Sequence, residues 1–216
     1  MPRSGKDAIV STRQGGFRIL RYLIALFAGA AAGLAAYLIL GLDAPPTGGT
    51  TRVSGQALIG GPFELVDQDG RTRKDAEFRG THMLVFFGYT HCPDFCPTVL
   101  QAMSEALDAL GKDAGKVQPI FITIDPDRDT PKVLKDYVPN FHKSLIGLSG
   151  SDAQVATAAK AYRVYYARAG KPGTEDYLMD HSTFTYLMGP DGKYLTHFSH
   201  GTPPKTVAAR IRKLLK

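Results

Sequence analysis

The sequence predicts an α/β domain behind one transmembrane helix: a central mixed sheet flanked by helices, with a β-hairpin extension at its N-terminal side. Three observations predict it. Tyr22 to Leu42 is an uncharged run of 21 residues. Met83–Phe87 and Ile120–Ile124 are apolar on both faces, as central parallel strands covered by helices are, and a helical stripe lies between them. Near the C-terminus, Pro190-Asp191-Gly192 is a turn flanked by two short strand-like runs.

The elements follow in chain order. As a helix, residues 22–42 span about 31 Å, the thickness of a bilayer's hydrocarbon core. Arg3, Lys6, Arg13, Arg18 and Arg21 precede the run against one acid, Asp7. The positive-inside bias therefore assigns residues 1–21 to the cytoplasm and sends the rest across the membrane. The competing reading is a cleaved signal peptide, with Ala28, Ala30 and Ala32 as small residues for a cleavage site. Apolar residues continue ten positions further, beyond the usual length of a secretory core, which favours an uncleaved anchor. Gly29 and Gly33 read as small-residue filler in a lipid-facing helix. Residues 43–55, rich in Pro, Gly and Thr, read as a linker, and residues 56–216 as the exported domain.

The formal charge of +6 does not indicate a nucleic-acid partner. The first 42 residues hold five bases and one acid, leaving 21 bases and 19 acids in the exported part. The basicity is mainly the topology signal. A hydrophobic fraction of 44% supports a packed core, and 216 residues allow one domain with an appendage. Two cysteines exclude a disulfide scaffold, a four-thiolate zinc site and an iron–sulfur cluster.

In the exported part, Phe63–Val66 followed by Asp69-Gly70 reads as a strand entering a hairpin. Val99, Leu100, Met103, Ala106, Leu107 and Leu110 form the helical stripe between the two central strands. Thr130-Pro131 is an N-cap and first-turn pair for a helix to about Lys143, and Ser151-Asp152 opens a helix to about Ala167. Thr183–Met188 and Tyr194–Phe198 form the second hairpin, and Pro203-Pro204 opens a last amphipathic helix. A βαβ unit followed by a hairpin and a closing helix is the thioredoxin-type arrangement, whose chemistry sits beyond the carboxyl ends of the central strands.

Both cysteines lie there, in Gly88-Tyr89-Thr90-His91-Cys92-Pro93-Asp94-Phe95-Cys96-Pro97. With Pro97 at the first helical position, Cys96 falls at the N-cap, where backbone N–H groups and the helix dipole favour a thiolate. Three readings stand open. A structural disulfide is permitted in an oxidising compartment, although so small a loop gains little from it. A redox dithiol has three intervening residues rather than two and no preceding Trp. A soft-metal site suits Cu(I) but needs a third ligand. Among the six histidines, His82 and His142 read as solvated or capping groups, and His91 adjoins Cys92 so its side chain points away. His197 and His200 are three apart on a strand and face opposite sides. His181 differs, because Asp180-His181-Ser182-Thr183 occupies the loop where thioredoxins place a proline against the active-site helix. It could complete a Cys₂His site, with Asp180 orienting its ring from behind. Asp125, Asp127 and Asp129 resemble the opening of a calcium loop but lack its Gly and closing Glu, and read as loop-stiffening residues. Met179 reads as packing.

These motifs resemble the Sco/SenC family of membrane-anchored copper-binding proteins. The resemblance is carried by Tyr89–Pro97, by Ile124-Asp125-Pro126-Asp127-Arg128-Asp129-Thr130-Pro131 and by Asp176–Ser182, and runs from about Gln56 to the C-terminus. It implies a thioredoxin-like fold and one copper per chain, as Cu(I) or Cu(II), held by Cys92, Cys96 and His181. It also implies a role in assembling the dinuclear copper centre of cytochrome c oxidase, as metallochaperone, thiol reductant or both. Implied partners are the copper-receiving subunit of that oxidase or another periplasmic copper chaperone, besides the lipid bilayer, with no nucleic acid. Phe95 stands where a smaller aliphatic residue is usual. The reading is a metallochaperone rather than an enzyme; the alternative is a membrane-anchored thiol–disulfide oxidoreductase using Cys92 and Cys96. About 20 residues before the anchor are few for a mitochondrial presequence, which favours a bacterial inner membrane, single-pass, with the C-terminal domain in the periplasm.

Overall fold

The computed structural model describes residues 11–39, 58–170 and 177–215. The basic residues before Ser11, the expected linker 43–55 and Asp176 of the third motif lie outside the described residues. The chain divides into two units, Met1–Gly55 and Gln56–Lys216.

In the first unit, helix α1 runs from Ser11 to Ile39, so it begins well before the apolar run. Leu20–Tyr37 is long and apolar enough to cross a membrane, with a mean hydropathy of 1.5 and none of it buried.

The second unit is built on a seven-stranded mixed sheet. Its strands are β1 (Glu64–Asp67), β2 (Thr72–Lys74), β3 (His82–Gly88), β4 (Val117–Thr123), β5 (Ile146–Ser149), β8 (Thr185–Met188) and β9 (Tyr194–Phe198), ordered β2-β1-β5-β4-β3-β8-β9. As expected, the two double-faced apolar runs are central and parallel, with Phe86 opposite Phe121. Every residue of β3 is buried, His82 included, which is a correction to its reading as a solvated or capping group; from Met83 to Phe87 the strand is wholly apolar because both its faces are covered. The first hairpin, β1–β2, adds to the sheet edge antiparallel to β5. The second, β8–β9, flanks β3 on the other side. Gly192, at φ +74°, supplies the left-handed residue of its turn.

Helix α2 (Phe95–Leu110) buries the expected stripe, and α5 (Pro204–Leu214) packs against it through Val207, Ala208 and Ile211. Helix α3 (Pro131–Tyr137) is capped as expected, the Thr130 hydroxyl accepting from the Val133 N–H, but ends six residues before Lys143. Pro139 is the reason: it cannot donate a helical hydrogen bond, and its ring excludes the carbonyl four residues back. A tighter turn, Val138–Asn140, replaces the last helical turn.

Helix α4 (Asp152–Ala161) opens on the Ser151–Gln154 capping box. It stops short of Ala167 because Arg163 takes φ +55° and turns the chain away. The following residues form a ribbon the sequence did not announce. β6 (Tyr166–Ala169) pairs antiparallel with β7 (Leu178–His181), setting Tyr166 opposite His181. This separate two-stranded sheet, rather than a bare loop, carries the histidine.

Candidate metal centre

Strand β3 ends at Gly88, and the chain turns through Tyr89–Asp94 into α2. The helix starts two residues earlier than Pro97 suggests: Asp94 is its N-cap, and Cys96 is its second residue. Proline is tolerated at the third position because the first four N–H groups of a helix have no internal acceptor. One of those groups meets a sulfur, the Cys96 N–H donating to Cys92 Sγ at 3.3 Å. Both cysteines are free and buried. Gly88 makes room for them, since a Cβ there would lie 2.8 Å from Cys96 Sγ. The helix terminus does not make Cys96 acidic. Burial dominates and pushes its thiol well above the usual range; an N–H from Tyr89 lowers it less, and Cys92 raises it further.

His181 comes to this corner across 85 residues of chain. Its Nε2 lies 3.7 Å from Cys96 Sγ, and its Nδ1 is 2.9 Å from the Ser182 carbonyl oxygen. A carbonyl only accepts, so Nδ1 carries the proton and Nε2 keeps a lone pair toward the sulfur. Burial holds the imidazole below its ordinary pKa, with the Ser182 hydrogen bond and the Asp180 charge opposing more weakly. The ring is therefore neutral near pH 7. Its orienting partner is the Ser182 backbone, whereas the exposed Asp180 acts only through its field, a correction to the expected carboxylate. Phe86 and Tyr89 meet the ring at centroid distances of 6.2 and 6.0 Å.

Ligands held about 2.0 Å (N) and 2.3 Å (S) from one ion, about 120° apart, lie about 3.7 Å from each other. The Cys96–His181 pair already has that spacing. Among the described residues, no group of three His, Cys, Asp or Glu side chains stands at metal-holding spacing.

Residues 51–216 match the family model described as SCO1/SenC. The chain belongs to the SCO1/SenC family. It is 44% identical over 177 residues to the SCO2-like protein of Rickettsia felis, covering 80% of this chain and 86% of that relative. It is similar to the structure of Bradyrhizobium japonicum ScoI with copper bound, at 46% identity and a TM-score of 0.67, covering 72% of this chain and 98% of that one. A third likeness is to BsSco, a member of the Sco family of cytochrome c oxidase assembly proteins in which a disulfide switch has been identified. There the identity is 26% and the TM-score 0.58, over 74% of this chain and 94% of BsSco. The unit Gln56–Lys216 has the thioredoxin-like fold of the Sco structures, as its element order predicted.

In this SCO1/SenC chain two buried carboxylates fix the corner. Asp129 accepts from the Thr90 N–H (2.9 Å), the Thr90 hydroxyl (2.5 Å) and the Thr123 hydroxyl (2.7 Å), tying the cysteine loop to β4. Asp125 accepts from the Tyr177 hydroxyl at 2.7 Å and from Arg128, whose guanidinium lies 3.7 Å over the Tyr177 ring and donates to its carbonyl. Tyr177 directly precedes β7, so this clamp holds the His181 ribbon against the β4–α3 loop. Arg168 of β6 pairs with Asp127 as well. The aspartates thus stiffen the loop, as expected, and their side chains are spent on protein donors rather than calcium.

The other histidines are engaged elsewhere. His91 is half exposed and touches Thr90, His197 meets Tyr194 Oη, and His200 lies edge-on to Phe95 at 4.9 Å. Met179 is buried. Sequence reasoning gave Gly88, Tyr89, Thr90 and Tyr177 no individual role. The first three adjoin the cysteines, the only signal that could have found them.

Proposed function

We propose that this protein is a copper metallochaperone whose cargo is one copper ion, held by Cys92 Sγ, Cys96 Sγ and His181 Nε2 and passed to the dinuclear copper centre of cytochrome c oxidase. The observation that carries the reading is the 3.7 Å approach of a neutral Nε2, its tautomer fixed by Ser182, to a free cysteine beside a second one. Two thiolates and an imidazole form a soft donor set suited to Cu(I). Copper bound by ScoI and the oxidase-assembly role of the family to which BsSco belongs support the cargo and its destination.

Each step falls to a residue of this chain. Copper displaces the thiol protons, and burial makes the Cys96 thiol hold its proton tightly. His181 is only half buried, so the imidazole side is open to an incoming soft ligand from the partner. A three-coordinate ion can accept that ligand before releasing its own. The recipient is read as the copper-receiving oxidase subunit or another periplasmic copper chaperone. The apolar helix and the bacterial relatives support a single-pass protein of a bacterial inner membrane. On that reading residues 1–21 are cytoplasmic, 22–42 span the bilayer, 43–55 link, and 56–216 face the periplasm.

An anaerobic Cu(I) titration of the reduced protein tests the donor set. One tight equivalent is expected, lost in Cys92→Ser and Cys96→Ser and weakened at least tenfold in His181→Ala. Binding insensitive to His181 removes it from the set. The second reading, a thiol–disulfide oxidoreductase, draws on the two free cysteines four residues apart and on the BsSco switch. Burial of Cys96 opposes it, because a raised thiol pKa leaves little attacking thiolate. Rapid turnover of a disulfide substrate without saturable copper binding would favour it.

A further inference from the structure

His181 sits on a ribbon whose strands, β6 and β7, pair only with each other among the described residues. A two-stranded ribbon is marginally stable by itself, so side-chain contacts have to seat it. Tyr177, directly before β7, supplies several of them. Its hydroxyl donates to Asp125 Oδ1 at 2.7 Å, and its carbonyl accepts from Arg128 at 3.0 Å. Two guanidinium groups lie over its ring, that of Arg128 at 3.7 Å and that of Arg168, from the ribbon itself, at 4.7 Å. Asp125 is 1% exposed and opens a tight turn in which the Asp129 N–H donates to its carbonyl. From that same turn Asp129 holds Thr90 of the cysteine loop. One turn therefore grips both halves of the site, the sulfurs through Asp129 and the imidazole through Asp125. Counted in twos along an extended chain, Tyr177, Met179 and His181 share a face. Burial follows that count: Met179 is buried, while Leu178 and Asp180 are exposed.

We propose that Tyr177 is the positioning residue for His181, setting the distance of the imidazole from the sulfurs so that it can serve as a copper ligand. The inference rests on the copper reading above and deepens it. Tyr177 acts through the ribbon and is not itself a ligand. Anchored there, β7 presents His181 on its inner face, with Nε2 3.7 Å from Cys96 Sγ. Released there, the ribbon takes other seatings and the imidazole loses that spacing. The loss falls on the nitrogen alone, because the cysteine loop is held separately through Thr90 and Asp129. A residue that orients a ligand from outside the ligand shell typically carries about 10–100-fold in metal affinity.

Tyr177→Leu removes the hydroxyl and the ring while Arg128 stays paired with Asp125, so the buried carboxylate keeps its cation. Cu(I) affinity is measured for this variant in a double-mutant cycle with His181→Ala. Tyr177→Leu is expected to weaken binding about tenfold when His181 is present and less than about twofold when it is absent. Tyr177→Phe keeps the ring under the guanidinium groups and should fall between wild type and Tyr177→Leu. A merely structural role would weaken both backgrounds alike. Nuclear magnetic resonance of the metal-free reduced protein gives a readout without copper, in which the His181 ring signals should shift in Tyr177→Leu. An equal loss in both backgrounds, or ring signals that do not move, overturns the positioning role alone. A wild-type protein that binds no copper, or binds it regardless of His181, overturns the copper reading, and this one with it.

Discussion

Substituting Gly88 by alanine is expected to destabilise the unit Gln56–Lys216 by about 1–3 kcal/mol and to weaken Cu(I) binding at least tenfold. The cause is space, not backbone freedom. The added Cβ would lie 2.8 Å from Cys96 Sγ, 2.9 Å from the Phe86 ring and 3.0 Å from the Phe121 ring. All three neighbours are fully buried, and the two phenylalanines sit on the paired central strands. Overpacking of this kind is relieved by the least constrained neighbour. The sulfur at the first turn of α2 moves, and the spacing to His181 opens. Urea midpoints with and without Cu(I) separate the two effects. An unchanged midpoint with unchanged affinity would contradict the close packing of Gly88 on Cys96.

Asp129→Ala should cost about 3 kcal/mol, because it strands buried donors that now share one carboxylate. The Thr90 N–H and hydroxyl and the Thr123 hydroxyl all lose their acceptor, and the cysteine loop loses its tie to β4. Asp129→Asn should cost much less, since the amide oxygen still accepts and the Thr90 hydroxyl can rotate to accept from the amide nitrogen. A pH signature follows. Burial holds the Asp129 carboxyl above its usual pKa, with the Thr90 and Thr123 hydrogen bonds opposing. The folded chain therefore binds this proton more tightly than the unfolded chain does. Its contribution is fully present below the unfolded carboxylate pKa and is lost as pH rises through the folded one. Urea midpoints compared between wild type and Asp129→Asn from about pH 4 to about pH 8 should show the variant gaining relative stability as pH rises. A constant difference across that range would contradict the raised pKa.

Much of this was legible in the sequence. Runs apolar on both faces, Met83–Phe87 and Ile120–Ile124, permit few alternatives to buried central strands, and they are β3 and β4. The cysteine pair stood out because there were only two, and His181 because of its place before a hairpin strand. What escaped depends on neighbours distant in sequence or on the backbone. β6 and β7 are four residues each and mix polar with apolar side chains, so Tyr166 and Ala167 read as the end of a helix. The acceptor that orients His181 is a carbonyl, which every residue has, and so Asp180 drew the assignment instead. Cys96 at a helix start suggested an easy thiolate, but its burial outweighs the dipole, and burial is not local information. The aspartate run read correctly as structural, yet its partners Thr90 and Tyr177 lie 39 and 52 residues away.

In the proposed copper site, two sulfurs and one imidazole nitrogen of this chain hold the ion together. X-ray absorption at the copper edge of the Cu(I)-loaded protein tests it most directly. A shell of two sulfur scatterers and one nitrogen from imidazole is expected, with the nitrogen lost in His181→Ala. A shell of sulfur alone, or one unchanged by His181→Ala, would contradict it.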